Sequence, residues 1–170
     1  MRLINMGLER YMVSYAVCGA VAQRLVPKLC ETCRMPYKVN PQSLLKLCEQ
    51  CGIPPETFLA NKKPAVEGEV QYINAEGGAA AFQDLVFYKN IGCDHCRGTG
   101  YLGRMGIFEV VFFNDELRDA IVRNLPMAEL EKIAIRSGFK PLALDAIEKV
   151  KAGVVALDDI FPILLEKSAT

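Results

Sequence analysis

The chain has 170 residues, 51% hydrophobic and 24% charged, with 20 basic residues balancing 20 acidic ones. That length allows one ordinary domain or two small ones, with roughly 70% of the unfolded surface buried. Cancelled charge provides no overall field for nucleic acid or anionic lipid, and no apolar run approaches the roughly 20 residues that span a bilayer. The opening residues do not follow the order of a signal peptide, so the expected compartment is the cytoplasm.

In chain order, the first expected element is a helix from about residue 8 to 18, with Leu8, Tyr11, Met12 and Tyr15 on one side. Cys18, among Ala, Val and Gly, reads as a small buried hydrophobe. "AVAQRLVPKL" is rich enough in Val and Leu for a strand ending near Pro27. "LCETCRMPY" follows as a turn. "NPQSLLKLCEQCG" then carries Asn40 as N-cap, Pro41 at the first helical position and Gly52 as a stop. "EGGAAA", residues 76–81, reads as a loop and "LVFYK" as a short strand. After the glycine-rich "GCDHCRGTG", the segment "YLGRMGIFEVVFF" is a second strong strand.

Helices follow. "NDELRDAIVRNL" has an Asn cap and an acidic first turn, which suits the helix dipole. Pro126 and Gly138 bracket a second helix, and Pro141 and Gly153 a third. "LDDIFPILLEK" places Leu157, Ile160, Phe161 and Leu164 on one face, with Pro162 bending the helix or lying near its start. Core packing is the expected role of these stripes.

Six of the seven cysteines form CxxC pairs: Cys30/Cys33, Cys48/Cys51 and Cys93/Cys96. In a reducing compartment such pairs read as metal ligands more readily than as disulfides. Cys30/Cys33 with Cys48/Cys51 has a spacing close to that of a zinc ribbon. Yet Leu44, Leu47, Cys48 and Cys51 recur at the positions of a helix core stripe, which assigns the middle pair to packing. The outer pairs sit where elements end and turns begin. Cys30, Cys33, Cys93 and Cys96 are therefore the expected ligands of a structural Zn²⁺, a four-thiolate set with no open coordination position. His95 lies between two ligands and is expected to face solvent. This reading expects one bound zinc and three thiols that react without a chelator. The alternatives are an independent zinc module that binds protein, or a thiol–disulfide protein using one CxxC pair.

"GLERYMVSYAVCGAVAQRLVPKLCETC", a variable insert, and then "GCDHCRGTGYLGRMGIFEV" resemble the secretion and pilus ATPases of the GspE/PilB type. "SGFKPLALDAIEKVKAG" is similar to that family's tail. The resemblance implies an α+β fold: the edge of a P-loop, RecA-like ATPase sheet, an inserted tetracysteine zinc subdomain and a C-terminal helical bundle. The implied divisions are residues 1–29 (core helix and strand), 30–100 (zinc subdomain), 101–113 (returning strand) and 114–170 (helical subdomain). Implied partners are the rest of the ATPase, neighbouring subunits of a hexamer and an inner-membrane assembly platform, with no nucleic acid and no direct membrane insertion. ATP and Mg²⁺ belong to the full-length parent, because the G-x-x-x-x-G-K-[ST] phosphate loop is absent from this sequence. The chain is thus expected to be a C-terminal piece that is not catalytic alone. Arg24 and Arg104 match positions the family pattern retains. Each is read either as a cation sensing phosphate or a neighbouring subunit, or as half of a structural ion pair such as Arg104 with Glu109.

Overall fold

The structure is a computed structural model and describes residues 2–51, 53–59 and 85–166. The stop expected at Gly52 and the loop at 76–81 lie outside these residues. The elements are α1 (Arg2–Asn5), α2 (Arg10–Ala16), β1 (Gly19–Leu29), β2 (Met35–Lys38), α3 (Pro41–Cys51), α4 (Glu56–Leu59), β3 (Val86–Lys89), β4 (Tyr101–Phe112), α5 (Asp115–Val122), α6 (Met127–Arg136), α7 (Leu142–Lys151) and α8 (Phe161–Glu166). Short 3₁₀ turns occupy Asp94–Cys96 and Asp158–Ile160. Strands β1 and β4 form one two-stranded sheet, and β2 and β3 another. Among the described residues no helix is long and apolar enough to cross a membrane.

β1 runs through Pro27 to Leu29 instead of stopping at the proline. Proline removes one ladder donor, and a strand with a single neighbour has an open edge where that donor is not needed. Two compact units share the long strands: one holds the described residues up to Arg24 with Phe108–Leu142, the other those of Leu25–Ile107 with those from Ala143 onward.

In the first unit α2 packs on α5, and α5 on α6. Asn114 caps α5, its Oδ1 accepting the Leu117 N–H at 2.9 Å. Leu117, Ala120, Leu130 and Ile133 form a buried cluster against which Phe113 and Leu125 pack. Arg118 donates through Nε to the Phe113 carbonyl and through Nη1 to the carbonyls of Ser14 and Tyr15, so it satisfies acceptors left at the end of α2. The helical spacing of Tyr11, Met12 and Tyr15 is real, while Leu8 lies just before α2; all four are exposed, and Ser14 is the buried residue of α2. One expectation is corrected here. Cys18 is also exposed, because it lies just outside β1, whose first residues are largely uncovered.

In the second unit Asn40 Oδ1 accepts the Gln42 N–H at 2.9 Å at the start of α3, and Leu44, Cys48 and Cys51 are buried along one face. β2 and β3 pair antiparallel, Met35 opposite Lys89 and Lys38 opposite Val86. Phe58 of α4 meets Phe87 of β3 edge-on, with ring centroids 6.4 Å apart and both rings buried. Pro162 falls at the second residue of α8, where its missing N–H costs no helical hydrogen bond. Leu157, Ile160 and Leu164 are buried, whereas Phe161 is only half-buried.

Asn114→Ala should remove about 1 kcal/mol of stability, the ordinary worth of an N-cap. Phe58→Ala should remove about 3–5 kcal/mol, the range for a buried aromatic ring. Denaturant midpoints at unchanged m-value check both values.

Candidate metal centre

The first cysteine turn begins where β1 ends. The Cys30 N–H donates to the Gly100 carbonyl at 2.9 Å, and the N–H groups of Cys33 and Arg34 both donate back to the Cys30 carbonyl, at 3.3 and 2.9 Å. The chain is thereby folded tightly enough to bring Cys33 alongside Cys30. The second turn is built by similar means. The Gly98 N–H donates to the Cys93 carbonyl at 2.9 Å, and Arg97 adopts the left-handed conformation at φ 54°. The Thr99 hydroxyl donates to the Cys96 carbonyl at 2.8 Å and accepts the Tyr101 N–H at 3.2 Å, which hands the turn on to β4.

Gly100 has to be glycine on two counts. Its φ is +75°, and an added Cβ would lie 2.5 Å from the Cβ of Asn90. The close approach also aims its N–H at sulfur, 3.1 Å from Cys96 Sγ, and the Cys93 N–H reaches the same atom at 3.2 Å.

The four sulfurs of Cys30, Cys33, Cys93 and Cys96 all lie within 4.8 Å of one another. Cys30–Cys93 is 4.0 Å, Cys33–Cys96 is 3.7 Å and Cys93–Cys96 is 3.8 Å. A Zn–S bond of about 2.3 Å puts the corners of a regular tetrahedron about 3.8 Å apart. A disulfide needs sulfurs about 2.05 Å apart, so these spacings suit a shared ion and not a covalent bridge. The donor set fits zinc chemically as well, since four soft thiolates favour a borderline-soft d¹⁰ ion over Mg²⁺ or Ca²⁺.

Electrostatics follow the backbone. Burial pushes the Cys96 thiol up, but the N–H groups of Cys93 and Gly100, with Cys33 and Cys93 beside it, bring it down to about 6. At Cys30 burial again opposes ionisation, and the N–H groups of Thr32 and Cys33 outweigh it and lower the thiol. Cys33 goes the other way, to about 11: burial dominates, the Gly92 N–H only partly counters it, and its three sulfur neighbours disfavour another charge. One backbone-solvated thiolate in each turn beside a crowded neighbour is an arrangement that a dication would relieve.

Cys48 and Cys51 stay on the buried face of α3, and burial pushes both thiols up, Cys48 to about 11. They carry no part of the cluster found among the described residues. His95 is exposed. Arg24 lies exposed on β1 and Arg104 exposed on β4. Glu109, the sequence-based ion-pair candidate for Arg104, accepts the Leu142 N–H at 2.9 Å. Arg34 carries more contacts than its sequence position suggested: its guanidinium donates to the Gly153 carbonyl and stacks 4.9 Å over the Tyr88 ring. The only hint was its place directly after a candidate ligand.

Among known proteins, residues 1–162 match the family described as Type II/IV secretion system protein. The "Type IV pilus assembly ATPase PilB" of Thermus thermophilus is 34% identical over 165 residues, 97% of this chain and 15% of that protein. "Type II secretion system protein E" of Pectobacterium carotovorum subsp. carotovorum is 32% identical over 167 residues, 98% of this chain and 27% of that protein. "Type II secretion system ATPase E" of Vibrio cholerae is 27% identical over 165 residues, 97% of this chain and 27% of that protein. The chain therefore spans 15–27% of the length of these curated relatives. A match this extensive, carried by a sequence whose two cysteine turns meet in space, means that the chain belongs to the Type II/IV secretion system protein family as a region of the GspE/PilB type.

Proposed function

We propose that this chain is the C-terminal, zinc-bearing portion of a cytoplasmic hexameric ATPase that powers type II secretion or type IV pilus assembly. The observation that carries the reading is the meeting of Cys30 with Cys93 and of Cys33 with Cys96, each pair 63 residues apart, at separations suited to one tetrahedral ion. Cys30, Cys33, Cys93 and Cys96 hold Zn²⁺, whose work is structural because four thiolates leave it no position for substrate or water. Holding two distant turns together offsets the several kcal/mol of chain entropy needed to close a loop of about 60 residues.

The residues present do not fit a nucleotide's phosphates, because the sequence contains no Gly-x-x-x-x-Gly-Lys-Ser/Thr loop. ATP and Mg²⁺ are accordingly assigned to another part of the motor, and the portion alone does not turn over ATP. Its partners are the remainder of the ATPase, adjoining subunits and the inner-membrane platform of the machine. Arg24 and Arg104, both exposed on the long strands, are the side chains proposed to meet a neighbouring subunit or its nucleotide.

Purified protein should contain one zinc per chain. Cys18 is exposed while Cys48 and Cys51 are buried, which changes the expected thiol count. One thiol should react at once, four more when a chelator strips the metal, and the last two only on unfolding. Cys96→Ser should lose the metal and much of the stabilisation that zinc brings, on the order of 10 kcal/mol in small zinc modules. Metal analysis, thiol titration and thermal melting read these outcomes, and metal-free protein with an unchanged melt would overturn the zinc assignment.

In the full-length motor, Arg104→Ala should lower ATP turnover by on the order of a hundredfold or more if the guanidinium meets transferring phosphate. Zinc content should not change. Wild-type turnover in that variant would remove the role.

A further inference from the structure

The metal turns are tied to a segment that contributes no ligand. Leu29, next to Cys30, donates its N–H to the Val154 carbonyl at 2.9 Å. Arg34, next to Cys33, donates its guanidinium to the Gly153 carbonyl. Each residue flanking the first ligand pair therefore holds one carbonyl just beyond the end of α7.

The attachment is fitted as well as hydrogen-bonded. Arg34 lies over the Tyr88 ring at 4.9 Å, a cation–π stack that fixes the plane of the guanidinium. Gly153 is buried in the slot these two side chains form. A Cβ there would lie 2.6 Å from Tyr88 Cδ2 and 3.1 Å from Arg34 Nη1, and its φ of +68° already favours glycine. Gly153 is also the turn that ends α7, with its N–H on the Val150 carbonyl at 2.9 Å and the Val154 N–H on the Lys149 carbonyl at 3.0 Å. Further back, Lys149 Nζ donates to the Gly106 carbonyl at 2.7 Å, which anchors the same helix to β4.

The direction of influence follows from what fixes each partner. The Arg34 N–H is bonded to the Cys30 carbonyl, so its backbone position is part of the turn that brings Cys30 and Cys33 together. If the sulfurs part, that turn loosens and the guanidinium loses its aim. Apart from this clamp, the end of α7 is held by its local helix bonds, by Lys149 on the Gly106 carbonyl and by the burial of Val150 and Val155, none of which fixes the Gly153 and Val154 carbonyls.

We propose that Arg34 is a positioning residue that transmits metal occupancy at the four cysteines to the end of α7 and the segment leading into α8. The proposal rests on the zinc reading above. Its consequence is that the ion orders a region to which it gives no bond.

Hydrogen exchange on the zinc-loaded chain, with metal content measured on the same sample, tests it. Stripping zinc with a chelator should speed exchange at the Gly153 and Val154 amides at least tenfold. Arg34→Ala, still loaded with one zinc, should show the same acceleration there, and Arg34→Lys, which keeps a cationic donor, should recover part of the protection. Leu130 in α6, bonded to the Pro126 carbonyl, is the control amide and should not respond to Arg34→Ala. If chelation unfolds the whole chain, the loaded Arg34 variants decide. Equal protection at Gly153 and Val154 in loaded Arg34→Ala and in the parent would overturn the proposal. So would loss of zinc from Arg34→Ala, since the residue would then act on the site itself. Failure of the parent to bind zinc would sink the zinc reading instead, and the metal measurement separates the two failures.

Discussion

Four thiols crowded within 4.8 Å are an unfavourable arrangement unless something compensates for their charge and burial. Backbone N–H groups supply part of the answer: two reach Cys96 and two face Cys30. They are fixed dipoles carried by turns, and the turns exist because glycines and a left-handed Arg97 allow the chain to fold back so sharply. A dication would supply the rest. The local sequence around each pair is thus explained by the same requirement, that backbone donors be aimed at sulfur.

This constraint acts at a joint of the fold. Cys30 follows the last residue of β1, Gly100 precedes the first residue of β4, and the N–H of one meets the carbonyl of the other. The described ends of the segment between them leave the β1–β4 sheet and rejoin it where the two turns meet. Conformational entropy opposes that return, and a metal clip would act against it much as a disulfide does, without oxidised sulfurs. The ladder between β1 and β4 then has its end defined before longer-range packing is considered.

What was legible in the sequence was local. Asn40 and Asn114 announce helix starts because a cap needs only residues two or three positions away, and both make those bonds. The assignment of Cys48 and Cys51 to the face of α3 was legible from helical period alone, and both are buried there. The shared side of Tyr11, Met12 and Tyr15 on α2 was legible in the same way, although period does not say whether anything covers that side. What failed needed tertiary information. Cys18 was judged by apolar neighbours, but its exposure depends on how much of β1 is covered. The pairing of β2 with β3 joins segments from opposite ends of the excursion, and neither carries a register signal that can be read alone. Convergence of the outer cysteine pairs was legible because the chemistry demands partners; the Arg34 clamp was not, because an arginine after a CxxC pair has no necessary partner.

A four-thiolate zinc site would act on the rest of the chain only through shape, since it would offer neither a vacant coordination position nor a redox step. Influence through shape requires rigid contacts leaving the site, and they can be traced. One path runs through Gly100 into β4, another through Leu29 and Arg34 to the carbonyls after α7, and α7 returns to β4 through Lys149 and Gly106. Turn, strand and helix therefore form a closed loop of hydrogen bonds that passes the one cysteine cluster among the described residues, the point an ion would tighten. In a closed loop a displacement at one joint has to be shared among the other joints. On that argument a catalytically inert ion, bound there, would still determine how firmly the strand bearing Arg104 is held.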